Sequence, residues 1–350
     1  MATVIEPIRA DDHAAMDGWF DLTLRCQAHD TPDLPRLSRR RHALRLSSPG
    51  FERRAWAVRD GTEIVAAAEV ALPLHDNLDN GFADGLVAPD RRRRGLGTQL
   101  LAHLVADARA AGRARLALQA SEGIATSSPG SGFLRAAGAR LGQVEMRRRL
   151  VLPAVDPRAL RDLAASARRA ARGYRLVQWT GPTPPDRRTD LAGLIARMST
   201  DAPQGDFTLE GQRWDAERVR RRDAAAAAAG EGRVVTAAQA ADGRLVAYTE
   251  TAVPPDEDDV ARQDDTLVAA EHRGHRLGLW IKLANLDQLA DTHPEVRAVD
   301  TWNADGNRWM IAINDAMGFV PISRVTDWEL DLTRGQSGTT AAISAAASGP

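Results

Sequence analysis

Four acidic residues stand in or beside apolar segments, where a carboxylate needs a physical reason. Glu69 and Glu250 lie within IVAAAEVALP and LVAYTETAVP, while Asp84 and Asp265 each begin a segment that continues into Leu-Val-Ala. A carboxylate in an apolar strand costs free energy unless it is paired or functional. Such a group can remove a proton from an amine. An exposed position at the end of a strand explains each of these residues equally well.

Two loops rich in arginine and glycine follow these segments. Residues 92–97 read RRRGLG and residues 273–278 read RGHRLG, each between an apolar segment and a helical pattern. Backbone N–H groups of such a loop and of the next helix N-terminus form a positive concavity that holds a phosphate or pyrophosphate. Glycine is needed where a side chain would block the anion or where φ is positive. The sequence therefore predicts an anion site at each loop, with a solvated basic run as the alternative for residues 91–94.

Other chemistries are disfavoured by the motifs. Neither loop has the form GxGxxG, and no GxxxxGK[ST] occurs, which argues against Rossmann and P-loop nucleotide sites. The eight histidines show no HxxxH spacing and there is no CxxC, so no metal site is predicted. Aromatic residues do not alternate with the arginines as they do in nucleic-acid platforms.

The two halves of the chain repeat each other in one constant register. Residues 64–73 match 245–254, and 92–97 match 273–278, with the acidic segments aligned between them. Each half is predicted to contain a turn, two strands, the arginine and glycine loop, and a helix. A chain of 350 residues also exceeds what one hydrophobic core usually supports, so we predict two domains.

The boundaries follow from local signals. Asp156-Pro157 is typical of a helix start, and the helix beginning there predicts a linker. The C-terminal segment lacks bulky apolar residues, which predicts disorder. The predicted ranges are 1–152 for the first domain, 153–173 for the connecting helix, 174–332 for the second domain and 333–350 for a disordered tail.

The composition is that of a globular protein. Apolar residues make up 43% and charged residues 27%, and a net charge of −1 provides no overall field for nucleic acid or an anionic membrane. Cys26 is the single cysteine, and no apolar stretch is long enough for a membrane span or a secretory signal. We predict a cytoplasmic monomer or homodimer that binds neither nucleic acid nor membrane.

The loops resemble the pyrophosphate loop of the GNAT N-acyltransferases, which has the form [Q/R]xxGx[G/A] after a strand ending in Val-x-Pro. The first half matches it fully from Val87 to Gly97, whereas the second half has Arg276 where the first glycine is expected. In the second half a further set resembles the family motif NxxAxxxYxxxGF, and it comprises Asn303, Asn307, Met310, Asn314 and Met317-Gly318-Phe319. The counterpart at 132–139 is weaker.

The resemblance implies an α/β (α+β) fold of two tandem GNAT-type domains, each a mixed twisted sheet flanked by helices. It also implies acetyl-CoA (CoA) as co-substrate, without a metal. The residues implied to bind CoA are Val87, Arg92, Arg93, Arg94, Gly95, Gly97 and Thr98 in the first half, and Val268, Arg273, Gly274, His275, Arg276, Gly278 and Asn307 in the second.

Acyl transfer to an amine requires a held donor, a neutral amine and a dipole aimed at the developing oxyanion. Asp265 and Glu250 are the candidate bases in the second half, with Asp84 and Glu69 as their equivalents in the first. A buried carboxylate on a central strand, or a water that it orders, can accept the proton of the amine.

The resemblance supplies the remaining roles. It implies that a strand N–H near Val268 or Val87 polarises the thioester carbonyl. The position of the family's leaving-group tyrosine is Asn314 in the second half and Leu134 in the first, so the proton donor to the thiolate stays open. The catalytic residues implied for the favoured half are therefore Asp265, Glu250 and Asn314.

The function predicted is an N-acetyltransferase that moves an acetyl group from acetyl-CoA to a primary amine of a small molecule or peptide. The second half is favoured as catalytic because it keeps the helix motif and its asparagine row. Residues 29–32 and 199–203 are predicted to cover the acceptor cleft, and their acidity favours a cationic acceptor. A non-catalytic acyl-CoA-binding sensor or scaffold, and a nucleic-acid module built on the arginines, remain the alternatives.

Overall fold

The computed structural model describes residues 4–35, 37–125, 128–201, 205–255 and 259–333. Apart from Thr333, the predicted disordered tail at 333–350 lies outside these residues. The strands and helices in chain order are β1 (Glu6–Ile8), α1 (His13–Asp30), α2 (Arg39–Ala43), β2 (Phe51–Asp60), β3 (Glu63–Pro73), β4 (Asn80–Val87), α3 (Leu96–Ala110), β5 (Arg115–Gly123), α4 (Pro129–Ala136), β6 (Arg140–Val151), α5 (Pro157–Ala170), β7 (Arg175–Thr180), α6 (Arg188–Asp201), α7 (Ala216–Ala228), β8 (Gly232–Gln239), β9 (Leu245–Val253), β10 (Val260–Val268), α8 (Leu277–Thr292), β11 (Ala298–Ala304), α9 (Arg308–Met317) and β12 (Val320–Asp331).

The chain forms two compact units. The first unit contains the chain up to Glu145, residues 205–209 and the chain from Ser323 onward. The second unit contains residues 146–204 and 210–322. The first unit is therefore assembled from segments that are distant in sequence, whereas the second is continuous apart from residues 205–209.

The first unit has a mixed sheet with the strand order β1-β2-β3-β4-β5-β12. Neighbouring strands are antiparallel except β4 and β5, which run parallel. Successive side chains of a strand point to opposite faces. Accordingly Trp56 and Val58 pack with α3, whereas Ala55 and Ala57 pack with α1. The sheet is thus covered by helices on both faces.

The second unit repeats this plan in the order β6-β11-β10-β9-β8-β7. Strands β10 and β11 run parallel, and β7 to β10 are antiparallel neighbours. Val234 of β8 packs with the α8 residues Leu279 and Leu283, whereas Val235 packs with α6. The predicted fold class, two domains that each have a mixed sheet flanked by helices, is confirmed.

The units differ from the predicted ranges at two strands, β12 and β6. Trp328 and Leu330 of β12 lie in the core of the first unit, and Leu150 of β6 lies in the core of the second. The predicted connecting helix is α5, whose Leu160 and Leu163 pack into the second core. A periodic pattern shows that a segment is a strand or a helix but not which sheet it joins, which is why sequence placed these boundaries differently.

Candidate active site

The two arginine and glycine loops have the same backbone conformation. Left-handed φ values occur at Arg93 (62°) and Gly95 (82°) in the first loop, and at Gly274 (88°) and Arg276 (55°) in the second. In the register of the repeat, Arg93 aligns with Gly274 and Gly95 with Arg276. Each loop therefore has one glycine and one arginine at its two left-handed positions, in opposite order. The second loop therefore keeps the geometry of the first although Arg276 replaces the expected glycine.

The helices that follow these loops begin without a side-chain cap. Gly95 and Arg276 are the N-caps of α3 and α8, and no described side chain donates or accepts a capping hydrogen bond at either N-terminus. By contrast α1, α2, α4, α5, α7 and α9 are each capped by a side-chain oxygen. The first N–H groups of a helix have no partner within the helix, and its dipole favours an anion there. Both loops thus present the donor set that a pyrophosphate requires.

An arginine clamp fixes the first loop. The Nε of Arg92 donates to the carbonyl oxygen of Val87, the last residue of β4, at 3.1 Å. Its two terminal nitrogens donate to the carboxylate of Asp30, the last residue of α1, at 2.8 and 2.6 Å. Burial by itself would raise the pKa of Asp30, but the hydrogen bonds from Arg92 act in the opposite direction, and the net effect is a lowered pKa. The side chain of Arg92 therefore orders the loop, which leaves anion contact to the backbone.

The second loop has the same clamp. The Nε of Arg273 donates to the carbonyl oxygen of Val268 at 3.2 Å, and Nη2 donates to Asp201, the last residue of α6, at 3.0 Å. The charges of Asp30 and Asp201 are thus matched by arginines, which removes the argument that these two segments favour a cationic acceptor. Residues 202 and 203 of the second segment lie outside the described residues.

The other loop residues divide into exposed and packed positions. Arg94 and His275 are exposed equivalents, and Thr98 lies in the first turn of α3. A Cβ on Gly97 would meet the ring of Phe133 at 3.7 Å, an ordinary contact. Gly278 is buried, and a Cβ there would lie 3.2 Å from Cδ1 of Ile313. Gly278 therefore also permits the close approach of α8 and α9, a packing role that sequence did not indicate.

The acidic residues of the first unit are bound to arginines. Arg45 lies 2.6 Å from Glu69 and 3.1 Å from Asp84, and Arg53 lies 3.2 Å from Glu69. Glu69 and Asp84 face each other in a β3–β4 register that runs unbroken from Ala66 to Ala71. These carboxylates are held in ion pairs on a regular ladder.

The equivalent ladder of the second unit contains a β-bulge. The register of β9 and β10 shifts by one residue between Gln263 and Thr266, so Asp264 and Asp265 occupy the bulge. The hydroxyl of Thr249 donates to the carbonyl oxygen of Asp265 at 3.1 Å and lies 2.7 Å from the hydroxyl of Thr266. These side-chain contacts stabilise the bulge, which re-aims the Asp265 side chain.

Asp265 has a hydroxyl rather than an arginine as its hydrogen-bond partner. The hydroxyl of Tyr248, which is fully buried, donates to Oδ2 of Asp265 at 2.8 Å. Burial and the neighbouring charge of Glu250 raise the pKa of Asp265 to about 6, although the Tyr248 hydrogen bond lowers it. A carboxylate with this pKa is ionised at neutral pH and accepts a proton more readily than an ordinary aspartate.

Glu250 differs from Asp265 in its partners. It is buried on β9, with Arg222 at 3.1 Å from Oε2 and Arg233 at 2.9 Å from Oε1. Both oxygens are thus engaged with guanidinium groups. This arrangement suits Glu250 to organising the charges around Asp265, and it is poorly suited to the predicted role as a base.

The asparagines of the second half have structural partners. Asn307 caps α9, because its Oδ1 accepts the N–H of Met310 at 3.2 Å. Asn314 is fully buried and donates from Nδ2 to Oδ1 of Asn303 at 2.6 Å. Sequence predicted CoA contact for Asn307 and a leaving-group position for Asn314, whereas the structure shows a helix cap and a buried amide pair.

Sequence reasoning missed the parts played by Tyr248 and Thr249. A signal was present in the repeat, since the equivalent residues of the first half are Ala67 and Ala68. Polar residues that replace alanines at matched positions of a duplicated strand mark the half that acquired a polar site. The strands align without a gap in sequence, so the bulge itself could not be seen there.

The described residues also bear on metal binding and membrane insertion. Among the described residues, no group of three or more His, Cys, Asp or Glu residues is placed to hold a metal ion. No helix among the ordered elements named above is long and apolar enough to cross a membrane.

Comparisons with known proteins agree with this architecture. The acetyltransferase (GNAT) family model matches residues 16–125. A tandem GNAT protein from the clavulanic acid biosynthesis pathway shares 29% identity over 96% of this chain and 100% of its own, with a TM-score of 0.79. No curated protein matches the sequence significantly.

Two more distant structures are similar in fold alone. A GCN5-related N-acetyltransferase from Sphaerobacter thermophilus has 17% identity and a TM-score of 0.63 over 94% of this chain and 95% of its own. A glucosamine N-acetyltransferase region of a fungal multi-domain GH3 β-N-acetylglucosaminidase has 14% identity and a TM-score of 0.67 over 94% of this chain and 38% of its own. Residues 16–125 thus match the GNAT acetyltransferase family model, and the whole chain is similar in sequence and fold to a tandem GNAT protein.

Proposed function

We propose that the second unit is an N-acetyltransferase that moves an acetyl group from acetyl-CoA to a primary amine of a small molecule or peptide. The observation that carries this proposal is the bulge at Asp265. It places a carboxylate that is hydrogen-bonded to a hydroxyl, with a pKa of about 6, on the strand that leads into the anion loop.

The co-substrate fits the second loop. The backbone N–H groups of residues 273–279 would hold the pyrophosphate, because α8 lacks a side-chain cap among the described residues and Arg273 leaves the concavity to the backbone. The thioester carbonyl would then lie toward the end of β10, where an N–H near Val268 polarises it.

Asp265 performs the proton transfer in this proposal. A free alkylamine is protonated near pH 7 and cannot attack a thioester until it loses a proton. Ionised Asp265 accepts that proton, directly or through one water, and the neutral amine attacks the carbonyl carbon. The carbonyl re-forms, the C–S bond breaks and CoA leaves as a thiolate. The nitrogen gives its second proton to this thiolate through solvent, and Asp265 returns the first proton to solvent.

The first unit supports a second candidate function, the binding of acyl-CoA without transfer. It has the same loop conformation and the same uncapped start of the following helix, α3, so it carries the anion donors. Its β3–β4 ladder is regular from Ala66 to Ala71, and Glu69 and Asp84 are bound to Arg45. We therefore propose that the first unit binds CoA as a sensor or structural element.

The test compares one conservative substitution in each unit. Asp265→Asn should lower kcat by about 10²- to 10⁴-fold, the usual contribution of a general base, with little change in acetyl-CoA affinity. Asp84→Asn is the matched control and should leave kcat near the wild-type value. Equal rates for Asp265→Asn and wild type between pH 6 and 9 would exclude this role, and loss of turnover in Asp84→Asn alone would move catalysis to the first unit.

Glu250→Gln separates the base from its surroundings. Because Glu250 neutralises Arg222 and Arg233, the variant should lower the melting temperature as well as the rate. Asp265→Asn should lower the rate while the protein still melts cooperatively. A stable Glu250→Gln protein with a larger rate loss than Asp265→Asn would make Glu250 the base.

A further inference from the structure

The contact between Tyr248 and Asp265 makes the two oxygens of the carboxylate different. Tyr248 lies in the core beside α6, where its ring is fully buried. Its hydroxyl donates to Oδ2 of Asp265 at 2.8 Å. Oδ1 accepts no hydrogen bond from any described residue. Oδ2 therefore has a hydrogen-bond donor within the protein, and Oδ1 remains available to a ligand.

Among the described residues, the groups with a proton or a charge that act most strongly on Asp265 come from three elements. These groups are Tyr248 and Glu250 on β9, Asp264 on β10 and Arg222 on α7. Glu250 is already paired with Arg222, and Asp264 is paired with an arginine of its own strand, Arg262. Tyr248 is thus the group that donates a hydrogen bond to the Asp265 side chain.

Tyr248 stays a donor over the whole working range of pH. Burial and the charge of Asp265 raise the pKa of Tyr248 well above 10. The hydroxyl keeps its proton, so it holds the carboxylate in place and does not itself accept the proton of the substrate. The first unit cannot make this contact, because Ala67 stands at the equivalent position and Asp84 is bound to Arg45.

We propose that Tyr248 is a positioning residue for acyl transfer, which fixes Oδ2 of Asp265 so that Oδ1 receives the proton of the acceptor amine. This inference rests on the proposed function. In the step, an N–H bond of the ammonium breaks, its electron pair stays on nitrogen, and an O–H bond forms at Oδ1. Tyr248 neither gains nor loses a proton.

The experiment measures kcat against pH from 5 to 9 for Tyr248→Phe, which keeps the ring and removes the hydroxyl. A hydrogen bond to the ionised form favours that form, so its loss should move the acid limb upward by about one pH unit. The rate at pH 6 should fall about fivefold, because the ionised fraction of Asp265 falls from about one half to about one eleventh, with the KM for acetyl-CoA unchanged. Asp84→Asn serves as the matched control, and its acid limb should coincide with that of the wild type.

Asp265→Asn keeps the two hypotheses distinguishable. If Asp265→Asn retains full activity, the proposed function of Asp265 fails. If Asp265→Asn is inactive while Tyr248→Phe keeps the wild-type acid limb and rate, Asp265 remains the base and the positioning role of Tyr248 is overturned.

A second measurement covers the case in which Tyr248→Phe does not fold. Growth on 3-fluorotyrosine replaces both tyrosines with a nearly isosteric residue whose hydroxyl is more acidic and donates more strongly. The acid limb should then move downward, opposite to its shift in Tyr248→Phe. A purely structural role for the hydroxyl predicts no movement of the acid limb, and that result would also overturn the inference.

Discussion

Arg276 and Gly95 stand at equivalent N-cap positions of the two repeats and share a left-handed backbone, with φ of 55° and 82°. Glycine adopts this conformation without a steric penalty, whereas an arginine places its Cβ close to the following carbonyl oxygen. The loop conformation is therefore imposed on Arg276 by the strand, the clamp and the helix around it.

The strain at Arg276 predicts that Arg276→Gly stabilises the second unit by about 1 kcal/mol. The arginine also donates to the Ser166 hydroxyl at 2.7 Å, so Arg276→Ala is the control that removes this bond while keeping a Cβ. Chemical denaturation should rank Arg276→Gly as more stable than Arg276→Ala. The reverse order would show that the left-handed conformation carries no penalty here.

A carboxylate at the exposed centre of each loop should weaken the anion site of that unit alone. His275→Glu and Arg94→Glu are the matched pair, because both positions are exposed and they align in the repeat. Repulsion of the pyrophosphate predicts about tenfold weaker acetyl-CoA binding to the altered unit by calorimetry. Turnover at low acetyl-CoA should fall in His275→Glu and persist in Arg94→Glu, with His275→Gln and Arg94→Gln as neutral controls. The opposite pattern would place catalysis in the first unit.

The chain segments that make up each unit predict where a core substitution is felt: a change in β12 should destabilise the first unit, and a change in β6 should destabilise the second. Trp328→Ala removes a buried ring from the core of the first unit, although it lies near the C-terminus, and should cost about 3–5 kcal/mol. Leu150→Ala should cost about 2–5 kcal/mol in the second unit. Hydrogen exchange should therefore accelerate in β3 to β5 for Trp328→Ala and in β8 to β11 for Leu150→Ala. Acceleration in the reverse assignment would support the sequence-based ranges 1–152 and 174–332.

Lys282, the single lysine of the chain, predicts a pH-dependent stability. It is buried on α8 with its Nζ 5.3 Å from the centre of the Phe319 ring, and burial lowers its pKa from 10.5 to about 7. Between these values the unfolded chain binds a proton that the folded protein lacks. The contribution of Lys282 therefore makes the protein more stable as pH rises through this window, by about 1.4 kcal/mol per unit.

Lys282→Met should remove this slope and raise the melting temperature most at or below pH 7, where the buried charge is costly. The two proteins should become most alike above pH 10, which provides the internal control. A difference that stays constant between pH 7 and 10 would show that Lys282 is uncharged for another reason or is paired.

The sequence by itself determined the duplication, which segments are strands and which are helices, and the positions of the two arginine and glycine loops. The constant register of the repeat, the glycines and the apolar periodicity are local signals, and local signals survive without knowledge of tertiary contacts. They were sufficient to predict two domains, and Arg92 and Arg273 as loop residues, while the resemblance to the GNAT family implied the mixed sheets.

Tertiary structure decided the rest, because partners distant in sequence set the properties of a side chain. Glu69 and Glu250 stand at equivalent positions of the repeat, and so do Asp84 and Asp265. Arginines from elsewhere in the fold neutralise all of these carboxylates except Asp265. Asp265 instead lies in a β-bulge and accepts a hydrogen bond from the Tyr248 hydroxyl. Strand β12 likewise pairs with β5, and β6 lies beside β11, partners that are distant in sequence, since a hydrophobic pattern specifies burial and not the surface that provides it.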